Sequence, residues 1–157
     1  MTRLLFVCLG NICRSPLAQG VMEYRLRIAG LDDQVVADSA GTQGYHVGDP
    51  PDKRAIEAAA RRDIDISNQQ ARRVTGDDFV SFDYLLAMDQ DNLWQLRAQC
   101  PAAQDPKLKL LMEFAAANAG LEVPDPYYGG NEGFECALNL IESAVDGVIR
   151  KIRTKAG

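Results

Sequence analysis

The stretch Cys8-Leu9-Gly10-Asn11-Ile12-Cys13-Arg14-Ser15-Pro16 limits what this chain can become more than any other. The apolar run before it, Leu4-Leu5-Phe6-Val7, is too short for a globular helix and reads as a buried strand over residues 4–8. The chain then turns hard, because Gly10 tolerates positive φ and Asn11 is among the few other residues that do. Ser15-Pro16 is a helix-start pair with Pro at the first helical position, and Leu17, Val21, Tyr24 and Ile28 follow at helical spacing to about residue 29. Strand, tight loop and helix follow in that order.

Such a loop gathers backbone N–H groups at a helix N-terminus, where unpaired donors and the positive end of the dipole make an anion site. Arg14 closes the loop with a planar fork of donors suited to two oxygens of a phosphate. Cys8 opens it, and a field that holds an anion also favours thiolate over thiol, which makes a nucleophile.

Farther on, the expected elements are a strand over 34–38, a helix over 52–62, a strand over 83–88, a helix over 90–98 and a last helix over 132–153. Gly30 is placed to end the first helix. Residues 107–111 fit a fourth strand, while Leu108, Leu111, Met112 and Ala115 also fit a helix. On the last helix Phe134, Leu138, Ile141, Val145, Val148 and Ile152 form a core-facing stripe, with Cys136 beside it as a packing residue. Strands alternating with helices imply a parallel sheet, and the loops leaving the carboxyl ends of its strands are where open α/β sheets bind ligands. At 157 residues, one domain over 1–157 is expected.

The net charge of −5 argues against nucleic acid or an anionic membrane as partner, so the anion site is a local positive focus on an acidic protein. Cys8, Cys13, Cys100 and Cys136 show neither a CxxC pair nor a His at metal spacing, and read as thiols. No run approaches the roughly 20 apolar residues of a membrane span, and the start lacks signal-peptide character; a cytoplasmic location is expected.

Cys8, the five-residue loop, Arg14 and Ser15-Pro16 resemble the phosphate loop of the low-molecular-weight protein tyrosine phosphatases. The resemblance continues through Ser39-Ala40-Gly41, Asp49-Pro50-Pro51-Asp52, Ala71-Arg72, Asp78-Phe79, Met88-Asp89 and Asp125-Pro126-Tyr127-Tyr128. It implies a three-layer, flavodoxin-like α/β domain with a four-stranded parallel sheet in the order 2-1-3-4 and helices on both faces. It also implies hydrolysis of phosphotyrosine and small aryl phosphates through a phosphocysteine at Cys8, without metal or cofactor.

In that pattern Arg14 and the amides of Leu9, Gly10, Asn11, Ile12 and Cys13 hold the phosphate oxygens. Asp125, stiffened between Pro124 and Pro126, is the general acid and then the base. Ser15 donates to the Cys8 thiolate, Asn11 pins the loop, Ser39 joins that network, and Tyr45, Tyr127 and Tyr128 line the substrate crevice. Many members carry His where this chain has Gln69, which bears on loop support. The resemblance sets His46, the only histidine, beside Tyr45 at the crevice rim in the loop after the second strand, where by itself it reads as a surface polar residue and not a catalytic one. Arg72 and Arg73 read either as attractors of anionic substrate or as a structural pair.

The resemblance further implies phosphotyrosine proteins as partners, a tyrosine kinase and its substrates among them, and a monomer or weak homodimer through the crevice face. Cys13 shares a tight loop with Cys8, so a reversible disulfide between them is expected under oxidation. Three other readings stay open. A thiol-dependent arsenate reductase needs two further relay cysteines, of which only Cys100 is available; a phosphocysteine phosphocarrier has no use for Asp125; a phosphotyrosine-binding module needs neither Cys8 nor Asp125.

Overall fold

In the computed structural model of the protein, residues 1–117 and 119–156 are described, apart from the side chains of Tyr128 and Ala156. Strand β1 (Thr2–Cys8) is central, pairing in parallel with β2 (Val35–Gly41) on one side and β3 (Tyr84–Ala87) on the other. β4 (Leu108–Leu110) adds beyond β3, and the order is β2-β1-β3-β4. Leu4, Leu5, Phe6 and Val7 have no exposed surface, as a parallel strand covered on both faces requires.

The two faces carry separate cores. Leu4 and Phe6 pack with Leu17 and Val21 of helix α1 (Arg14–Ala29), Ala55, Ala58 and Ala59 of α2 (Lys53–Ala60), and Phe134, Leu138, Ile141 and Val145 of α5 (Gly130–Ala156). Leu5 and Val7 face Phe79 of α3 (Gly76–Ser81) and Leu93 and Leu96 of α4 (Gln90–Gln99). α1 ends as its sequence indicates: Gly30 is left-handed at φ 71°, and its N–H bonds back to the Arg27 carbonyl. Among the described residues, no helix is long and apolar enough to cross a membrane.

Several local expectations shift. α1 begins at Arg14, so Pro16 is its third residue rather than its first; the Leu17 N–H already reaches the Cys13 carbonyl at 3.2 Å. The buried stripe of α1 runs through Leu17, Ala18, Val21, Met22 and Leu26, which leaves Ile28 68% exposed. Cys136 is exposed, not packed. Residues 108–114 resolve as both alternatives in turn, the short β4 followed by a 3₁₀ turn at Leu111–Phe114.

β2 runs three residues past its expected end, and this extension positions the site. It sets Gly41 beside Cys8, so close that a Cβ on Gly41 would lie 2.8 Å from the Leu9 carbonyl oxygen. Ser39 is therefore a strand residue beneath the phosphate loop rather than the start of a loop.

Candidate active site

The loop between β1 and α1 turns at Asn11, whose φ of 59° is left-handed. Its side chain holds that turn from three directions. Nδ2 donates to Ser15 Oγ at 2.8 Å and to Ser39 Oγ at 3.0 Å, while Oδ1 accepts the Arg72 backbone N–H at 2.9 Å. The last bond fixes the amide orientation, since a backbone N–H can only donate.

Ser15 is fully buried, with Oγ 3.0 Å from Cys8 Sγ. Its lone pair is engaged by Asn11 and its other neighbour, the Ala40 carbonyl, is 3.5 Å away, so the hydroxyl proton is best directed at the sulfur. Ser39 donates to Gln19 Oε1 at 2.8 Å. Gln69 sends Nε2 to the Pro16 carbonyl at 3.0 Å, bracing the first turn of α1 from outside. Gln69 thus donates to helix α1 and not to the loop residues 9–13 themselves.

Gly10 is not in the positive-φ region. Its missing side chain makes room for His46, because a Cβ there would lie 3.1 Å from the imidazole Cδ2. His46 also approaches Asp49, with Nδ1 3.4 Å from Oδ2.

Arg14 is buried at 3% exposure. Nη1 donates to Asp89 Oδ2 at 2.6 Å and to the Val123 carbonyl at 2.9 Å, and Nη2 lies 3.8 Å from Asp125 Oδ2. Burial opposes the guanidinium charge, but Cys8, Asp89 and Asp125 outweigh it and hold its pKa above the ordinary value. Asp89 is the functional residue that sequence reasoning missed. It N-caps α4 through Oδ1, accepting the Asn92 N–H at 2.8 Å, and turns Oδ2 to Arg14. The available signal was a buried arginine in need of a carboxylate at the same sheet edge.

Asp125 is 44% exposed and stands across the cavity from Cys8. Its Oδ1 accepts the Tyr127 N–H at 3.0 Å, and the Val123 N–H ties the loop to the Met88 carbonyl beyond β3 at 2.8 Å. Cys8, Leu9, Gly10, Ile12, Cys13, Arg14, Tyr45, His46, Asp125 and Tyr127 line one cavity of about 240 Å³. Asn11, Ser15 and Ser39 lie behind it. The Tyr128 side chain falls outside the described residues.

Of the two readings of Arg72 the structural one fits, because its guanidinium is bonded to Asp78 at 3.0 and 3.1 Å and to Asp38 at 3.0 Å. His46, expected at the crevice rim and not in catalysis, lines the cavity. Cys13 is a buried thiol; burial, then Asp52, the Cys8 thiolate and Asp125 all push its pKa up, so it stays protonated at neutral pH.

Over residues 3–156 the chain matches the family described as low molecular weight phosphotyrosine protein phosphatase. A low molecular weight protein-tyrosine-phosphatase of Streptomyces coelicolor is 42% identical over 154 residues, covering 96% of this chain and 93% of that protein. The crystal structure of a protein tyrosine phosphatase from Entamoeba histolytica, with Hepes in its active site, superposes with a TM-score of 0.96 at 38% identity and covers 100% of both chains. A Drosophila arginine phosphatase superposes with a TM-score of 0.89 at 29% identity, covering 97% of this chain and 98% of its own.

The pairing of Arg14 is testable without substrate. Asp89→Ala removes a charge-assisted hydrogen bond from a buried guanidinium and is expected to lower the unfolding free energy by about 1.5–3 kcal/mol. Urea denaturation of the two proteins measures it; an unchanged midpoint contradicts the pairing.

Proposed function

The chain belongs to the low molecular weight phosphotyrosine protein phosphatase family, and we propose that it hydrolyses phosphotyrosine in proteins by double displacement at Cys8. The observation that carries this reading is the convergence of a thiol, a ring of loop residues ending in a buried arginine, and a carboxylate on one cavity of about 240 Å³.

In the first step Cys8 Sγ attacks phosphorus, the bond to the tyrosyl oxygen breaks, and Asp125 protonates the departing phenol. Arg14 and the amides of residues 9–14 hold the equatorial oxygens as charge moves through the transition state. In the second step water attacks the phosphocysteine, Asp125 takes its proton, and the S–P bond breaks. The Ser15 hydroxyl, 3.0 Å from the sulfur, stabilises the returning thiolate. Nothing in this sequence calls for a metal ion.

Leu9, Ile12, Tyr45 and Tyr127 give the crevice an apolar wall that suits a flat aromatic ring. Substrates are phosphotyrosine proteins, and a tyrosine kinase fits as one of them by analogy with the family. A reducing, cytoplasmic setting suits a working thiolate. Arsenate reduction fits less well: Cys100 packs against the core on the α3–α4 face and donates to the Pro101 carbonyl, and buried Met88 follows β3.

Turnover of para-nitrophenyl phosphate in EDTA and reductant tests the roles. Cys8→Ser is expected to abolish it, and Asp125→Ala to lower hydrolysis of a phosphotyrosine peptide by about 10²- to 10⁴-fold. A wild-type protein inactive on both substrates but active on phosphoarginine or arsenate would overturn the reading.

The reading extends to redox protection. Peroxide converts the Cys8 thiolate to a sulfenic acid, and the Cys13 thiol condenses with it to a disulfide, releasing water. Mild peroxide followed by thiol labelling is expected to protect both residues together and reversibly; Cys13 left free while Cys8 is oxidised refutes it.

A further inference from the structure

Asp125 is half-exposed on a loop, yet proton transfer demands a carboxylate held at hydrogen-bond reach of the leaving oxygen. Arg14 does not hold it, since 3.8 Å is an ion-pair separation rather than a hydrogen bond. The only described bond to its carboxylate comes from the Tyr127 N–H. What fixes Tyr127 therefore fixes Asp125.

Arg54, in the first turn of α2, holds Tyr127. Its Nη1 donates to the Tyr127 carbonyl at 2.8 Å. Its Nε and Nη2 fork onto Asp52, reaching Oδ1 at 3.0 Å and Oδ2 at 2.9 Å. Asp52 is anchored in turn: its own N–H donates to the Ile12 carbonyl at 2.7 Å, inside the phosphate loop. The guanidinium also lies over two rings, 5.2 Å from the centroid of Tyr127 and 5.0 Å from that of Phe134, which is fully buried in α5.

One side chain thus joins the phosphate loop, through Asp52, to the backbone and ring of the residue that orients Asp125. The planar fork matters, because it bonds in its plane to a carboxylate and a carbonyl while its faces meet aromatic rings. A lysine supplies the charge but neither the fork nor the face.

We propose that Arg54 is a positioning residue for proton transfer, locking the Pro126–Tyr127 turn against the phosphate loop so that Asp125 stands at the leaving-group oxygen. The inference rests on the reading of Asp125 as general acid.

Its test separates the two. Protonation matters little for a leaving group as acidic as nitrophenol and much for phenol or an alcohol. kcat/KM, which reports the first step, is measured across such a series for wild type, Asp125→Asn, Arg54→Lys and Arg54→Ala. Wild type is expected to depend weakly on the leaving group and Asp125→Asn strongly.

Both Arg54 variants are expected to follow Asp125→Asn part of the way, losing about tenfold or more on phenyl phosphate and little on para-nitrophenyl phosphate, against the about 10²–10⁴ that a general acid contributes. Inhibition by inorganic phosphate, which reports a folded phosphate loop, stays unchanged. In the Asp125→Asn background Arg54→Ala adds nothing.

A loss spread evenly over the series, a loss of phosphate affinity in both variants, or no loss at all overturns the Arg54 role. A flat series for Asp125→Asn overturns the general acid itself.

Discussion

The left-handed turn at Asn11 is the constraint on which the rest of the site depends. With φ at 59° the loop makes its turn at Asn11, in a conformation that strains most residues other than glycine, asparagine and aspartate. Glycine would reach it without holding it. Asparagine spends both amide protons on Ser15 and Ser39 and its oxygen on the Arg72 N–H, so helix α1, strand β2 and the 71–73 segment all grip one side chain. Arg72 is itself immobilised between Asp38 and Asp78, which extends the brace to α3. An aspartate at this position would offer oxygens where two donors are required.

Charge balance around Arg14 is the second consequence of the same geometry. An acidic protein concentrates one buried cation where the β1 loop, the end of β3 and the 123–125 loop meet, and surrounds it with Asp89, Asp125 and the Cys8 sulfur. One amino group is committed to the fold through Asp89 and the Val123 carbonyl. The other faces the cavity side, near Asp125. On the proposed mechanism, structural and chemical duties are divided between the two ends of one guanidinium, which an ammonium has no means to do.

The strand–loop–helix unit was legible because its signals are local: a short apolar run, an asparagine tolerant of positive φ, and a proline in the first turn of the helix. The parallel sheet and its order followed from strand–helix alternation and from the family resemblance, and the structure has that order. Less was legible wherever the cause is long-range. Gly10 gives room to the imidazole of His46 rather than serving a positive φ, and Gly41 is required by the Leu9 carbonyl. Ile28 keeps helical spacing yet faces away from α5 and the sheet, because the covered stripe drifts around α1. Asp89 and Arg54 bind partners 75 and 73 residues away, and no spacing rule reveals them. Arg72 left two readings open in the sequence, and the carboxylates that make it structural are Asp78, six residues on, and Asp38, 34 residues back.

The central claim is that the phosphoryl group passes through Cys8. Rapid quenching of turnover with a phosphoryl-labelled tyrosine peptide, followed by peptide mapping, tests it most directly. The account predicts label on the peptide holding Cys8, formed and lost fast enough to lie on the reaction path, and absent from Cys8→Ser. Steady turnover with no covalent label, or with label on any other residue, would contradict it.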